Sequence, residues 1–165
     1  MALHPITMPP SLPDPLTPGN LLYAIAPSGA LRETRQFEAG LALWRDRGYQ
    51  VELSPTYDKR WGYLAGADDQ RRQQLLDALT NPKYQGILCV RGGYGGTRLL
   101  ENWQWPAINK WLIGFSDITS LLWSGQLSGG VHGPLLTTIS QEPDWSLQRL
   151  FNWLEHHSLE PLAGD

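Results

Sequence analysis

A single cysteine, Cys89, in a chain of 165 residues rules out an internal disulfide and leaves the redox compartment only weakly constrained. It lies within an apolar run, where a buried and inert thiol is expected. Charge of one sign is also lacking. The 13 basic and 16 acidic residues are spread along the chain and leave a net charge of −3, so nothing electrostatic calls for a nucleic acid or an anionic membrane as partner. No run approaches the roughly 20 apolar residues that cross a bilayer. The N-terminus lacks a basic segment followed by an apolar stretch, so no signal peptide is visible and a soluble cytoplasmic protein is expected. Internal repeats are absent too. What is present is enough for one domain with a real core: 41% hydrophobic and 18% charged residues describe a folded globular chain, and 165 residues are too few for two ordinary domains.

Residues 1–18 hold six of the thirteen prolines and read as an extended arm leading to a turn at Pro18-Gly19, with residues 19–165 as the folded domain. Strands are expected at 21–26, 49–53, 86–90 and 111–115, with a short one at 130–132. Helices are expected at 31–47, where Phe37, Leu41 and Trp44 recur at helical spacing, and at 67–79, where Asp68 and Asp69 suit the positive end of the helix dipole. Further helices are expected to begin near Gly95, to run from Ser116 to about Leu127, and to carry Leu147, Leu150, Phe151 and Leu154 near the end. Strands alternating with helices predict an α/β fold, a mainly parallel sheet with helices on both faces. Sites in such sheets form beyond the carboxyl ends of the strands. Ser28, Gly92-Gly93, Ser116 and His132 all fall there. Four of the eight tryptophans (Trp103, Trp105, Trp111 and Trp123) cluster around the two loops that matter most, as core, interface or pocket wall.

Those loops follow the apolar runs 86–90 and 111–115. The first opens into Arg91-Gly92-Gly93-Tyr94-Gly95-Gly96, suited to close backbone approach. It is not a dinucleotide fingerprint, because Arg98 stands where a glycine is required, and it is not a phosphate loop, because the chain has no Gly-Lys pair. The second passes through Gly114-Phe115-Ser116-Asp117 directly into a helical pattern. A strand that bends sharply into a helix lifts the serine hydroxyl off the sheet, and beside a glycine loop that offers N–H groups it reads as a nucleophile facing an oxyanion hole. The plainer alternatives are a tight glycine turn without a ligand and a serine that merely caps a helix. The sequence also lacks the second glycine of the usual hydrolase elbow. Arg91 adds positive charge that binds a carboxylate or pairs with Asp117. A base is not evident: His4 lies in the arm, His156 and His157 fall on the terminal helix as solvated residues, and His132 reads as base, turn residue or substrate contact.

The ordered segments 26–29 (Ala-Pro-Ser-Gly), 62–66 (Gly-Tyr-Leu-Ala-Gly), 91–95, 114–119 and 132–134 (His-Gly-Pro) together closely resemble the N-terminal half of the LD-carboxypeptidase family, the S66 serine peptidases. That family includes murein tetrapeptide carboxypeptidases and microcin C immunity peptidases, and the likeness runs from about Pro18 to Pro134. The resemblance implies a Rossmann-like domain, similar to class I glutamine amidotransferases, and a Ser-Glu-His triad that removes the terminal D-alanine of muropeptide tetrapeptides by L,D-amide hydrolysis during cell-wall recycling. It implies Ser116 as nucleophile, the backbone N–H groups of Gly93 and Asp117 as oxyanion hole, and Ser28, Arg91, Gly92, Tyr94 and His132 around the substrate. It implies no cofactor or metal. Family members are commonly homodimers and carry the glutamate and histidine in a C-terminal domain, which is absent from this chain. Without that base and its carboxylate the residual rate is at best about 10³–10⁴-fold above water, so the chain alone is expected to be inactive. The alternatives are cleavage of a microcin C-type aminoacyl-nucleotide conjugate and a non-catalytic module in which the glycine loop holds an anion.

Overall fold

A computed structural model of the chain describes residues 11–125, 127–159 and 161. His4 and the first ten residues of the arm lie outside this range. Five strands, β1 (Leu21–Ile25), β2 (Gln50–Leu53), β3 (Gly86–Cys89), β4 (Trp111–Gly114) and β5 (Gly130–His132), form one sheet in the order β2-β1-β3-β4-β5. Every pairing is parallel. This is the flavodoxin-type order of the doubly wound sheet, and chain direction reverses its march between β1 and β3. The loops after these two strands diverge around a crevice, into which the end of neighbouring β4 also opens.

The three inner strands, β1, β3 and β4, are short apolar runs because both faces are covered, so both sets of alternating side chains are buried, whereas the edge strands β2 and β5 are partly exposed. Leu22, Ala24, Leu88, Val90, Trp111 and Ile113 face one layer, where helix α1 (Thr34–Asp46) contributes Phe37, Leu41 and Trp44 and helix α4 (Asp144–Leu154) contributes Leu150, Phe151 and Leu154. Tyr23, Ile25, Ile87, Cys89 and Leu112 face the other. There they meet Leu75, Ala78 and Leu79 of helix α2 (Asp68–Thr80) and Leu121 of helix α3 (Thr119–Ser124). Burial of Cys89 pushes its thiol well above the ordinary range, in line with an inert core residue.

The sequence differs from the structure in three places. The helix expected near Gly95 is a single 3₁₀ turn, Thr97–Leu100, because positive φ angles at Gly93 and Gly95 (115° and 110°) hold the glycine loop out of helical geometry. The helix expected from Ser116 to about Leu127 begins as a 3₁₀ turn, Ser116–Ile118, and α3 ends at Ser124. His156 and His157 follow α4 instead of lying on it, and His156 sets its ring edge-on against Trp111 at 5.8 Å. The described part of the arm packs along the domain without helix or strand: Leu16 is in the core, its N–H bonds the Leu154 carbonyl at 2.8 Å, and the Trp111 indole donates to the Asp14 carbonyl at 2.9 Å. Of the four tryptophans singled out, Trp111 is core, Trp103 and Trp105 form a half-buried edge-to-face pair, and Trp123 is exposed.

Candidate active site

Ser116 stands at the carboxyl end of β4 with φ of 62°. A side chain other than glycine or asparagine in this left-handed region costs on the order of 1–3 kcal/mol and persists only where the surroundings impose it. Here they do. A Cβ at Gly114 would lie 2.8 Å from Ile118 Cγ2 and 3.2 Å from Cys89 Cβ, so the strand must end in glycine for the chain to turn beneath it. Ile118 occupies the place of the missing second glycine and packs into the opposite layer, which explains how the bend forms without it.

The helix-cap alternative for Ser116 fails on geometry. The residue that precedes the 3₁₀ turn is Phe115, and among the described residues no hydrogen bond engages Ser116 Oγ. The hydroxyl instead abuts the glycine loop: a Cβ at Gly92 would lie 2.8 Å from Ser116 Cβ and 3.0 Å from its Oγ. Gly92, Gly93 and Ser116 line one cavity of about 370 Å³, together with Arg91, Glu33 and Gln36 on one side and Thr137, Thr138 and Gln141 on the other. The Gly93 N–H donates to no acceptor among the described residues, so it is available to an oxyanion.

Other expected site residues fall differently. Arg91 does line the cavity but does not pair with Asp117. Its Nη2 donates to Glu33 Oε1 at 3.0 Å and its Nη1 to the Ala30 carbonyl at 3.3 Å, which fixes the guanidinium at the wall. Ser28 is fully buried and its hydroxyl donates to Asp117 Oδ2 at 2.5 Å, so it braces the site from behind. Tyr94 does not line the cavity; its exposed ring meets Tyr63 edge-on at 5.6 Å. His132 lines a second cavity of about 570 Å³ with Glu142, Ser146 and Trp153. Phe115 borders both cavities and touches the His132 ring at 6.2 Å. Among the described residues no histidine lines the Ser116 cavity.

Two buried side chains that sequence reasoning passed over hold this edge together. Gln74 clips the end of β1, with its Oε1 accepting from Ala26 N–H and Ser54 Oγ and its Nε2 donating to the Ala26 carbonyl. Arg71, wholly buried, donates through Nη1 to the carbonyls of Pro27 and Gly95 and through Nη2 to Asp68 Oδ1. Hydrogen bonds from Arg98 and Arg71 hold the Asp68 carboxyl below its ordinary range. The signal was readable: positions 71, 74, 75, 78 and 79 share one face of α2, and polar residues at core spacing need fixed partners.

Residues 23–132 match the LD-carboxypeptidase N-terminal domain. The chain belongs to the LD-carboxypeptidase family. Family members that it resembles include slr1534 of Synechocystis sp., a provisionally named carboxypeptidase, at 54% identity over 93% of this chain and 52% of the relative. The murein tetrapeptide carboxypeptidase of Pseudomonas aeruginosa is 35% identical over 72% of this chain and 40% of its own length. Among solved structures, the muramoyltetrapeptide carboxypeptidase of Oxalobacter formigenes superposes with a TM-score of 0.69 at 26% identity, over 81% of this chain and 47% of that one. A complex of MccF with glutamyl sulfamoyl guanosine superposes at 0.80 over 88% of this chain and 47% of that one; at 22% identity this is a likeness of fold. The chain thus spans about half the length of the family members it matches.

Proposed function

We propose that this chain supplies the nucleophile half of a serine LD-carboxypeptidase, in which Ser116 Oγ attacks the amide before a terminal D-alanine of a muropeptide tetrapeptide. The observation that carries the reading is the left-handed bend at Ser116, which sets an uncommitted hydroxyl against Gly92 in the cavity that Gly93 also lines. The N–H groups of Gly93 and Asp117 receive the charge that develops on the carbonyl oxygen. Arg91, held by Glu33, offers a cation to the carboxylate of the departing D-alanine. The proton of Ser116 passes to a histidine oriented by a glutamate, both contributed by the second half that the relatives possess. His132 is not that base, since it opens into the other cavity. The reaction belongs to cell-wall recycling in the cytoplasm. In this reading the chain alone turns over negligibly, because a serine without a base keeps its ordinary low nucleophilicity.

The test is D-alanine release from a muropeptide tetrapeptide by the 165-residue chain alone, and by the chain with the remaining half of slr1534 supplied in trans. Release is expected only from the pair, and Ser116→Ala removes it. Comparable release by the isolated chain, or release indifferent to Ser116→Ala, overturns the reading. Preference for an aminoacyl-nucleotide conjugate over the tetrapeptide would assign the chain to the microcin branch instead.

A further inference from the structure

Two side chains of opposite charge staple the same pair of loops at adjacent residues. Arg71 bonds the carbonyls of Pro27 and Gly95. Asp117 Oδ2 accepts from the hydroxyl of Ser28 at 2.5 Å and from the N–H of Gly96 at 2.6 Å. The two grips differ in one respect: Arg71 belongs to α2, whereas Asp117 is part of the serine bend. The Asp117 carboxylate is therefore the link that joins the bend to the glycine loop through side-chain chemistry. The contact is close on every side, since a Cβ at Gly96 would lie 3.0 Å from both Asp117 O and Asp117 Oδ2 and 2.9 Å from Ser120 Oγ.

We infer that the Asp117 side chain is a positioning group for the oxyanion hole, distinct from the backbone N–H that the same residue contributes. One proposed donor, Gly93, sits on the glycine loop and the other, Asp117 itself, on the bend. Their separation is set by whatever ties loop to bend. A carboxylate oxygen shared by a hydroxyl and an amide forms short, charge-assisted bonds, and these hold that separation before substrate arrives. Ser28 extends the brace to the end of β1, so three strand ends are locked to one oxygen. This inference rests on the hydrolase reading for its catalytic consequence, but its structural part stands by itself.

The experiment therefore has two independent readouts on Ser28→Ala, Asp117→Ala and Asp117→Asn. Amide hydrogen exchange in the 165-residue chain is expected to rise about tenfold or more at Gly96 and at Gly29, whose N–H bonds the Gly92 carbonyl of the loop, in the two alanine variants, with amides of β1 and α1 as internal reference. Asp117→Asn, whose side-chain oxygen still accepts from Ser28 and Gly96, is expected to restore the slow exchange. Ser28→Ala, which removes only one hydroxyl, guards against a misfolded Asp117→Ala. In the reconstituted pair, kcat for D-alanine release is expected to fall about 100-fold for Asp117→Ala with KM within about twofold, because the lost interaction is made in the transition state. Loop exchange unchanged in both alanine variants overturns the inference, as does a loss confined to KM. Absence of release by the unsubstituted pair would count against the hydrolase reading, and loop exchange would still decide this one.

Discussion

At the scale of single residues, the serine bend trades stability for geometry. Ser116 at φ 62° sits where glycine is at ease and other residues are strained. Ser116→Gly is therefore expected to raise stability by about 1 kcal/mol over Ser116→Ala, read as a rise in thermal midpoint, while both abolish turnover in the reconstituted pair. Equal midpoints would mean that the bend is not strained. Gly92→Ala should have the opposite effect. Its Cβ would lie 2.8 Å from Ser116 Cβ, and displacing the bend is expected to cost about 1–3 kcal/mol in urea unfolding along with most of the activity. The bend at Ser116 was legible because a serine at the end of an apolar run, beside a loop of four glycines, marks a sharp turn at the sheet edge. Ser28 was misplaced for a related reason: a strand-end serine looks the same in sequence whether its hydroxyl faces the crevice or a buried carboxylate.

At the scale of elements, α2 does more than cover the sheet. Its apolar content is modest, and its buried face includes Arg71 and Gln74 among Leu75, Ala78 and Leu79. Arg71→Met is expected to destabilise the chain by about 2–4 kcal/mol, since the carbonyls of Pro27 and Gly95 lose their donor inside the protein. Asp68, pinned by Arg98 and Arg71, gives a pH signature. Its folded-state pKa lies below the unfolded one, so its contribution is present above the unfolded value and is lost as pH falls through the folded one. Asp68→Asn should therefore lower the thermal midpoint near pH 7, by no more than the equivalent of ~1 kcal/mol given its partial exposure, and the two midpoints should converge in acid. A constant gap across pH would show that the carboxyl titrates no differently when folded. The boundaries of α1 and α2 were readable from spacing. The length of α3 was not, because Leu121 and Leu122 extend a helical pattern that Gly125 cuts short at the C-cap.

At the scale of the molecule, alternation of strand and helix predicted the layered parallel sheet, whereas the order β2-β1-β3-β4-β5 is a matter of long-range pairing that no local pattern encodes. Parallel pairing of the neighbouring strands β1, β3 and β4 is what brings the Ser28 loop, the glycine loop and the bend to one edge. Two apolar layers share the same strands, so unfolding is expected to be a single transition, with far-ultraviolet dichroism and tryptophan fluorescence coinciding in urea. Separate transitions would show one layer dissolving before the other. The rims of the sheet carry a further consequence. β5 is three residues long and is followed by Gly133-Pro134, and β2 is four residues long with Glu52 anchored outside by Lys83 and Tyr84. Neither margin offers enough free main chain to template an added strand. Should two copies of this protein associate, they would meet through side chains, and the ribbon-like stacking that drives fibril growth is closed to the folded form.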